Sequence, residues 1–484
     1  MTKKILLPTQ RSSQTVLAVS RLALAALFGI GMVLSFPETY RAMQADSLFL
    51  WTPEFLSLTQ HHQPWLTCWL TALVLQAFRY PWVAALIQAT MAWTTAWLLG
   101  STDSDRSSLH SGLIALLLTA TVYLLFPFAL QLQIELLLLA LLWYTLARIR
   151  PQTGRVILIL VIGLVGYLLI RWPLLVALLF VHTLLSHNRW TASTTAAVVA
   201  VICCCVWPHI YSRRICYIPR AERYLVWEEP LQPVWSSDVH EQENYHRRIR
   251  MAEEERWADL LHDLRSQKDV LSDKVNFCLA LIAESAQGTL ATNLPSYRLA
   301  TSEDFFFRQT RDSQTCQVNR LFYRNLGIWD EAFHQAQEYY LLRHHGCCMQ
   351  SLCQVTDYAI RSGDYLLAEK YLSILRHGIG YATFVTSCRQ RISEGRATGT
   401  PEPAPLRQDN FVGGYSVASE MLRLVEHRIG HYERAFDYLV CALIVDGKYQ
   451  KAAIVLRTFP FYHDKPLPPL YQATLEYARE QGGN

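Results

Sequence analysis

Hydrophobic and polar positions divide the chain in two. Up to about residue 210, apolar residues come in unbroken runs, at about 18–36, 64–78, 82–99, 112–127, 132–147, 156–170, 173–186 and 191–208. A helix needs about 20 such residues to cross the hydrocarbon core of a bilayer, and somewhat fewer where the bilayer adapts. The pattern therefore predicts an N-terminal transmembrane helix bundle over 1–210, with about seven or eight spans. Phe126-Pro127 and Arg171-Trp172-Pro173 interrupt it. Proline removes a helical hydrogen bond, so each site either separates two helices or kinks one long helix.

Beyond residue 210 the apolar positions recur at helical spacing, punctuated by a short motif, Gly-x-aromatic-x-x-Ala. It occurs at Gly327-Trp329-Ala332, Gly363-Tyr365-Ala368, Gly430-Tyr432-Ala435 and Gly447-Tyr449-Ala452. The first two copies are 36 residues apart, the second and third 67, about two periods of 34, and the last two 17. In a helical hairpin the glycine ends one helix in a left-handed turn. The aromatic is expected to pack over that turn, and the alanine to lie where two helices cross too closely for a larger side chain. Hairpins of this kind bury their apolar faces only by stacking on one another. The fold class expected is all-α: a transmembrane bundle followed by a tetratricopeptide-like α-solenoid over 271–484. Residues 211–270 form a charged helical connector, with opposite charges three and four apart in 240–266. Residues 393–409, rich in Gly, Pro and polar residues, break the periodicity as a linker or loop.

Charge sharpens the division. Residues 1–210 hold 12 Lys and Arg against 6 Asp and Glu, a net charge of +6, whereas 211–484 hold 32 against 34, a net charge of −2. No Lys/Arg-rich face emerges in the second part, which excludes a nucleic-acid partner. The 12 cysteines show no spacing of a small disulfide framework. Lys3, Lys4, Arg11 and Arg21 place the N-terminus in the cytoplasm, because basic residues flanking spans stay inside. With eight spans the repeats are cytoplasmic, which Arg213, Arg214, Arg220 and Arg223 favour. With seven, 112–147 crosses once and the repeats lie outside, which moves Arg148, Arg150 and Arg155 inside. Either way the partners expected are membrane lipid and a protein or peptide on the repeats.

Candidate chemistry is sparse. His240-Glu241 with His246 lacks the i, i+4 spacing that puts two zinc ligands on one helical face. His344, His345, Cys347, Cys348 and Cys353 are the densest group of potential ligands, yet no second pair completes a zinc site, and helix packing accounts for them. No metal or other cofactor is expected. Glu135 and Arg171 lie at or within apolar spans, where ionisable groups are costly and line a cavity, pair with each other, or snorkel from short helix ends. The segment 37–63 carries Glu38, Asp46, Glu54, His61 and His62, with an amphipathic helix expected over 47–58. In an enzyme it is a catalytic mouth with Asp46 or Glu38 as general base or metal ligand, and otherwise it is an interfacial helix. No phosphate-binding loop, dinucleotide fingerprint or nucleophile elbow occurs.

Several stretches resemble a bacterial family known only as domain of unknown function 6057: ADSLFLWTPEFL (45–56), FRYPWVAAL (78–86), NLGIWDEA (325–332), GDYLLAEKYL (363–372) and AFDYLVCAL (435–443). The resemblance implies multiple spans followed by tetratricopeptide-like repeats and a Bacteroides-type envelope, and it carries over no catalytic residue. A second likeness is to membrane glycosyltransferases that use polyprenyl-phosphate sugars. These have a cytoplasmic N-terminus and an acidic catalytic residue in the first outer loop, which Asp46 or Glu38 would match.

Overall fold

A computed structural model describes residues 8–101, 108–149, 151–185, 192–214, 217, 231–266, 270–297, 299–308, 312–342, 348–398, 416–463 and 465–482. Among these the chain is helical and has no strand. It divides into two compact units, Met1–Asn244 and Tyr245–Asn484.

The first unit opens with α1 (Pro8–Ser35), α2 (Pro37–Ala45), α3 (Pro53–Thr59), α4 (Trp65–Leu75) and α5 (Pro81–Gly100). It continues with α6 (Ser108–Leu125), α7 (Leu130–Arg148), α8 (Gln152–Leu169), α9 (Trp172–Leu185) and α10 (Ala192–Arg214), and ends within α11 (Ser237–Glu253). Proline opens α2, α3 and α5, where its missing N–H costs nothing and its fixed φ suits the first turn. Each of the eight apolar runs is helical over most of its described residues, and both proline sites separate helices. Five segments are long and apolar enough to cross a membrane: Ala18–Ser35, Pro81–Gly100, Leu130–Arg148, Gln152–Leu169 and Thr195–Arg214. Gly112–Leu125 and Trp172–Val181 are apolar but shorter, and the run at 64–78 is an 11-residue helix followed by a 3-10 turn, Gln76–Arg79.

Small residues set the closest approaches. A Cβ on Gly163 would lie 2.8 Å from Cα of Ala200, so α8 and α10 meet backbone to backbone. The outward faces are apolar, with Leu22, Leu34, Leu117, Ile157 and Ile202 all exposed. Segment 37–63 departs from expectation. Residues 37–45 form α2, and 47–52 are not helical, because Thr52 caps α3 by accepting from the Phe55 N–H at 3.2 Å and Pro53 fixes the helix start. The helix expected over 47–58 is thus the short Pro53–Thr59.

The second unit, from the end of α11 onward, contains α12 (Trp257–Ser266), α13 (Lys274–Gln287), α14 (Leu290–Asn293), α15 (Ser313–Asn325), α16 (Trp329–Leu342) and α17 (Met349–Arg361). Next come α18 (Tyr365–Leu375), α19 (Ala382–Thr398), α20 (Val417–Glu426), α21 (Tyr432–Val445), α22 (Tyr449–Thr458) and α23 (Pro469–Glu480). The linker at 393–409 is helical to Thr398, and its remainder lies outside the described residues.

Three of the four motif copies share one turn, in which the glycine is the left-handed residue that ends the preceding helix; in the third, Arg428 (φ 53°) ends the helix and Gly430 follows two residues later. Gly327, Gly363, Gly430 and Gly447 have φ of 71°, 76°, 58° and 72°. Trp329, Tyr365, Tyr432 and Tyr449 are each the first residue of the next helix, and Ala332, Ala368, Ala435 and Ala452 are buried. The ring contacts of the aromatics do not stay within their own turns. Trp329 stacks on Tyr358, Tyr365 presses against Gly395, Tyr432 meets Phe461 and Tyr449 meets Tyr477. From the first position of its helix each ring reaches forward, to an element later in the chain. The turns do not stack in chain order either. The His431 N–H donates to the Leu326 carbonyl at 2.7 Å and Arg434 Nη1 to the Asn325 carbonyl at 2.9 Å, so the first turn packs on the third.

The four glycines are therefore unequal. A Cβ at Gly447 meets open space, but one at Gly430 would lie 2.3 Å from the Leu326 oxygen. Gly447→Ala is expected to lower stability by about 1–2 kcal/mol, the left-handed penalty alone. Gly430→Ala, with the added clash, costs roughly 2–5 kcal/mol. Thermal unfolding of the two variants in detergent checks that order, and equal losses would contradict it.

Candidate functional site

The apolar bundle of the first unit encloses polar side chains at its two helix breaks. At the second break, Arg171 stands between α8 and α9 and Glu135 projects from α7. Glu135 is wholly buried and Arg171 nearly so. Arg171 Nε donates to Glu135 Oε1 at 3.1 Å, and Gln131 Nε2, one turn earlier on α7, donates to the same oxygen at 3.0 Å. Glu135 Oε2 faces the Arg171 backbone N–H at 3.4 Å, so the carboxylate also sits at the N-terminus of α9, where the helix dipole favours negative charge. The rest of the break is covered from neighbouring helices. The Thr67 hydroxyl donates to the Leu169 carbonyl, and Trp172 Nε1 to the Cys204 carbonyl at 3.1 Å.

The first break, between α6 and α7, is held by two glutamines. Gln88 Nε2 donates to the Pro127 carbonyl at 2.8 Å and to Gln133 Oε1 at 3.1 Å. Gln133 Nε2 donates to the Phe126 and Pro127 carbonyls at 3.1 and 3.0 Å. The Tyr40 hydroxyl of α2 donates to Gln88 Oε1. Sequence reasoning passed over both glutamines. The available signal was an amide inside each of two apolar runs, since a buried amide needs partners and a broken helix supplies them.

The two acidic candidates of 37–63 are not brought together. Glu38 lies in the first turn of α2 and Asp46 caps its C-terminal end, a separation of about 12 Å of helical rise. Glu38 is buried and paired with Arg41, while Asp46 is half-exposed. Beside Glu38, the carboxylate of Glu243 accepts the Glu38 and Thr39 backbone N–H groups at 3.0 and 2.8 Å, capping α2 from 205 residues away in sequence. Two cavities of this unit, about 330 and 420 Å³, are lined almost wholly by apolar side chains, and no residue of 37–63 lines either. Among the described residues no three His, Cys, Asp or Glu side chains are placed to hold a metal. His344, His345 and Cys347 lie outside the described residues, and Cys348 caps α17 by accepting from the Ser351 N–H at 3.3 Å.

Buried charge in the second unit is structural in form. Arg320, fully buried, reaches Glu253 and the Tyr358 hydroxyl, and Arg324 Nη1 meets the same Glu253 at 2.8 Å. Burial works to raise the Asp357 carboxyl, but Arg361 and Arg391, at 2.8 and 2.6 Å, outweigh it and hold it below its ordinary value. The reverse holds at Asp437, where burial dominates and raises the carboxyl, against the hydrogen bonds from Tyr462 and Tyr471 at 2.6 and 3.0 Å.

Removing one partner of a buried ion pair strands the other, at about 3–5 kcal/mol, whereas replacing both with apolar groups leaves no stranded charge. Glu135→Leu and Arg171→Leu are each expected to reduce folded protein sharply, and the double variant to recover most of it in detergent unfolding. A double variant no more stable than the singles would contradict this. For Asp357 the folded pKa is depressed, so its stabilisation is present above the ordinary carboxylate range and is lost as pH falls below it. Asp357→Asn should therefore flatten the acid limb of a stability profile against pH, and an unchanged limb would remove Asp357 from the account.

Neither a curated protein nor a solved structure matches the chain. One family does match, described as "Family of unknown function (DUF6057)", over residues 12–483. With nearly its whole length aligned, the chain belongs to the DUF6057 family of unknown function.

Proposed function

We propose that this chain is a multi-pass protein of the bacterial inner membrane whose helical repeats, a tetratricopeptide-like array in irregular order, serve as a scaffold for a protein or peptide partner. The membrane reading is supported by five full-length apolar helices whose outward residues are themselves apolar. The observation that carries the scaffold reading is the motif geometry. A left-handed glycine, a helix-initiating aromatic and a buried alanine recur four times, in three of them with the glycine ending the preceding helix. Repeated turns of this type build extended surfaces for partner binding. The N-terminus is read as cytoplasmic from its basic residues, and the repeats face whichever side an even or odd number of crossings dictates.

A second reading rests on the buried Glu135–Arg171–Gln131 cluster. Intramembrane ionisable groups mark substrate or ion pathways. Under it the protein is a membrane enzyme or carrier, glycosyltransferase-like, acting on a lipid-linked envelope substrate, with Asp46 the more accessible acidic candidate.

One experiment separates them. Photo-crosslinking residues placed at Leu341 and Leu366, which are 72% and 79% exposed, are expected to trap one defined protein in cells. Glu at the same positions should lower that yield at least tenfold without changing the level of the chain. No adduct at either position, together with loss of cellular function on Asp46→Ala at normal protein level, would overturn the scaffold in favour of the enzyme.

A further inference from the structure

Arg21 is a buried cation of the apolar bundle that stands apart from the polar groups at the helix breaks. It lies on α1 and is only 5% exposed, so it does not reach a water-facing surface. Its Nε and Nη2 are buried and have no hydrogen-bond partner among the described residues. The guanidinium packs against Gly100, where a Cβ would stand 2.1 Å from Nη2. Glu135 and Arg171 answer each other across a break, but among the described residues no carboxylate answers Arg21.

Arg21 forms one end of the cavity of about 330 Å³ between α1, α5 and α6. That volume falls in the range of ligand sites. The walls are hydrocarbon and aromatic, with Leu24, Phe28, Ala92, Leu116 and Ala120 among them. Thr119, also in the wall, spends its hydroxyl on the Ala115 carbonyl at 2.8 Å. Leu24, Leu27 and Leu124, on the rim, are also exposed on the apolar outer surface. The cavity therefore opens sideways through hydrocarbon, with a cation at one end. A ligand that fits carries an apolar chain and a negative head, because only an anion compensates a buried cation and only hydrocarbon matches the walls.

We propose that this groove is a binding site for an anionic membrane phospholipid, with an acyl chain along α1, α5 and α6 and the phosphate on the Arg21 guanidinium. A guanidinium suits phosphate oxygens; Arg21 lines the cavity with Nε and Nη2 unspent, and these two atoms reach a phosphate once the side chain turns from Gly100 toward the groove. Binding here would cover part of α6 and tie its position to the surrounding leaflet, independently of any partner on the repeats.

The test is native mass spectrometry of the full chain released from detergent, offered phosphatidylglycerol, phosphatidylethanolamine or free inorganic phosphate. Wild type is expected to retain one phosphatidylglycerol at least tenfold more tightly than phosphatidylethanolamine and to hold no free phosphate. Arg21→Gln should abolish that preference, and Arg21→Lys should keep part of it. Ala120→Phe, which fills the groove and leaves the cation in place, should prevent retention, and it keeps the test available if Arg21→Gln does not fold. Equal retention of the two lipids, retention unchanged by either Arg21→Gln or Ala120→Phe, or binding of inorganic phosphate alone would overturn the proposal.

Discussion

A helix that breaks inside hydrocarbon exposes carbonyl and amide groups that water cannot reach, and each one left bare costs several kcal/mol. The first unit is organised around that constraint. Its two breaks, at Pro127 and Arg171, are where its most deeply buried polar side chains converge: Gln88 and Gln133 on one, Glu135 and Thr67 on the other. Helices α2, α4, α5, α7 and α10 thereby become mutually dependent, because each supplies or receives a hydrogen bond that another's break requires. Apolar contact alone would let such helices slide, since hydrocarbon side chains prefer a neighbouring helix to lipid only weakly. The amide and carboxylate bonds fix register.

The same constraint explains why Glu135 and Arg171 support structure as well as they support any chemistry. Each satisfies the other, the carboxylate also meets a helix N-terminus, and the neighbouring glutamine takes up further acceptor capacity. Arg21 is the contrast. It has the burial of Arg171 without a carboxylate beside it among the described residues, and it stands at the end of a hydrocarbon-lined groove. In one bundle, a paired ion closes a break, and an arginine with no carboxylate beside it among the described residues stands at the end of the groove proposed to take a lipid.

In the second unit the constraint is steric. A left-handed glycine stands in each hairpin turn, and the alanine that follows it is buried. The neighbour that each turn packs against is decided elsewhere. Arg434 and the His431 N–H join the third turn to the first, so the helices from Met349 to Thr398 are bypassed in that contact and do not intervene as a further layer. Repeats that share a motif thus occupy unequal positions, and Gly430 and Gly447 bear different loads.

Properties carried by a single segment were determined by the sequence itself. Eight apolar runs became helical segments because continuous hydrophobicity and proline placement act over a few turns. Four motifs became four left-handed turns because only glycine takes that φ without penalty. The pairing of Glu135 with Arg171 was within reach as well, since two opposite charges in hydrocarbon have few alternatives. Tertiary structure alone decided which groups meet across long separations. Glu243 caps α2 from 205 residues away, Gln88 and Gln133 converge on one proline carbonyl, Glu38 is withdrawn from Asp46 to the far end of a helix, and Arg21 is enclosed among three helices. A hydrogen bond is specified by the position of both partners to within about an ångström, and no local pattern of apolar and polar residues carries that information.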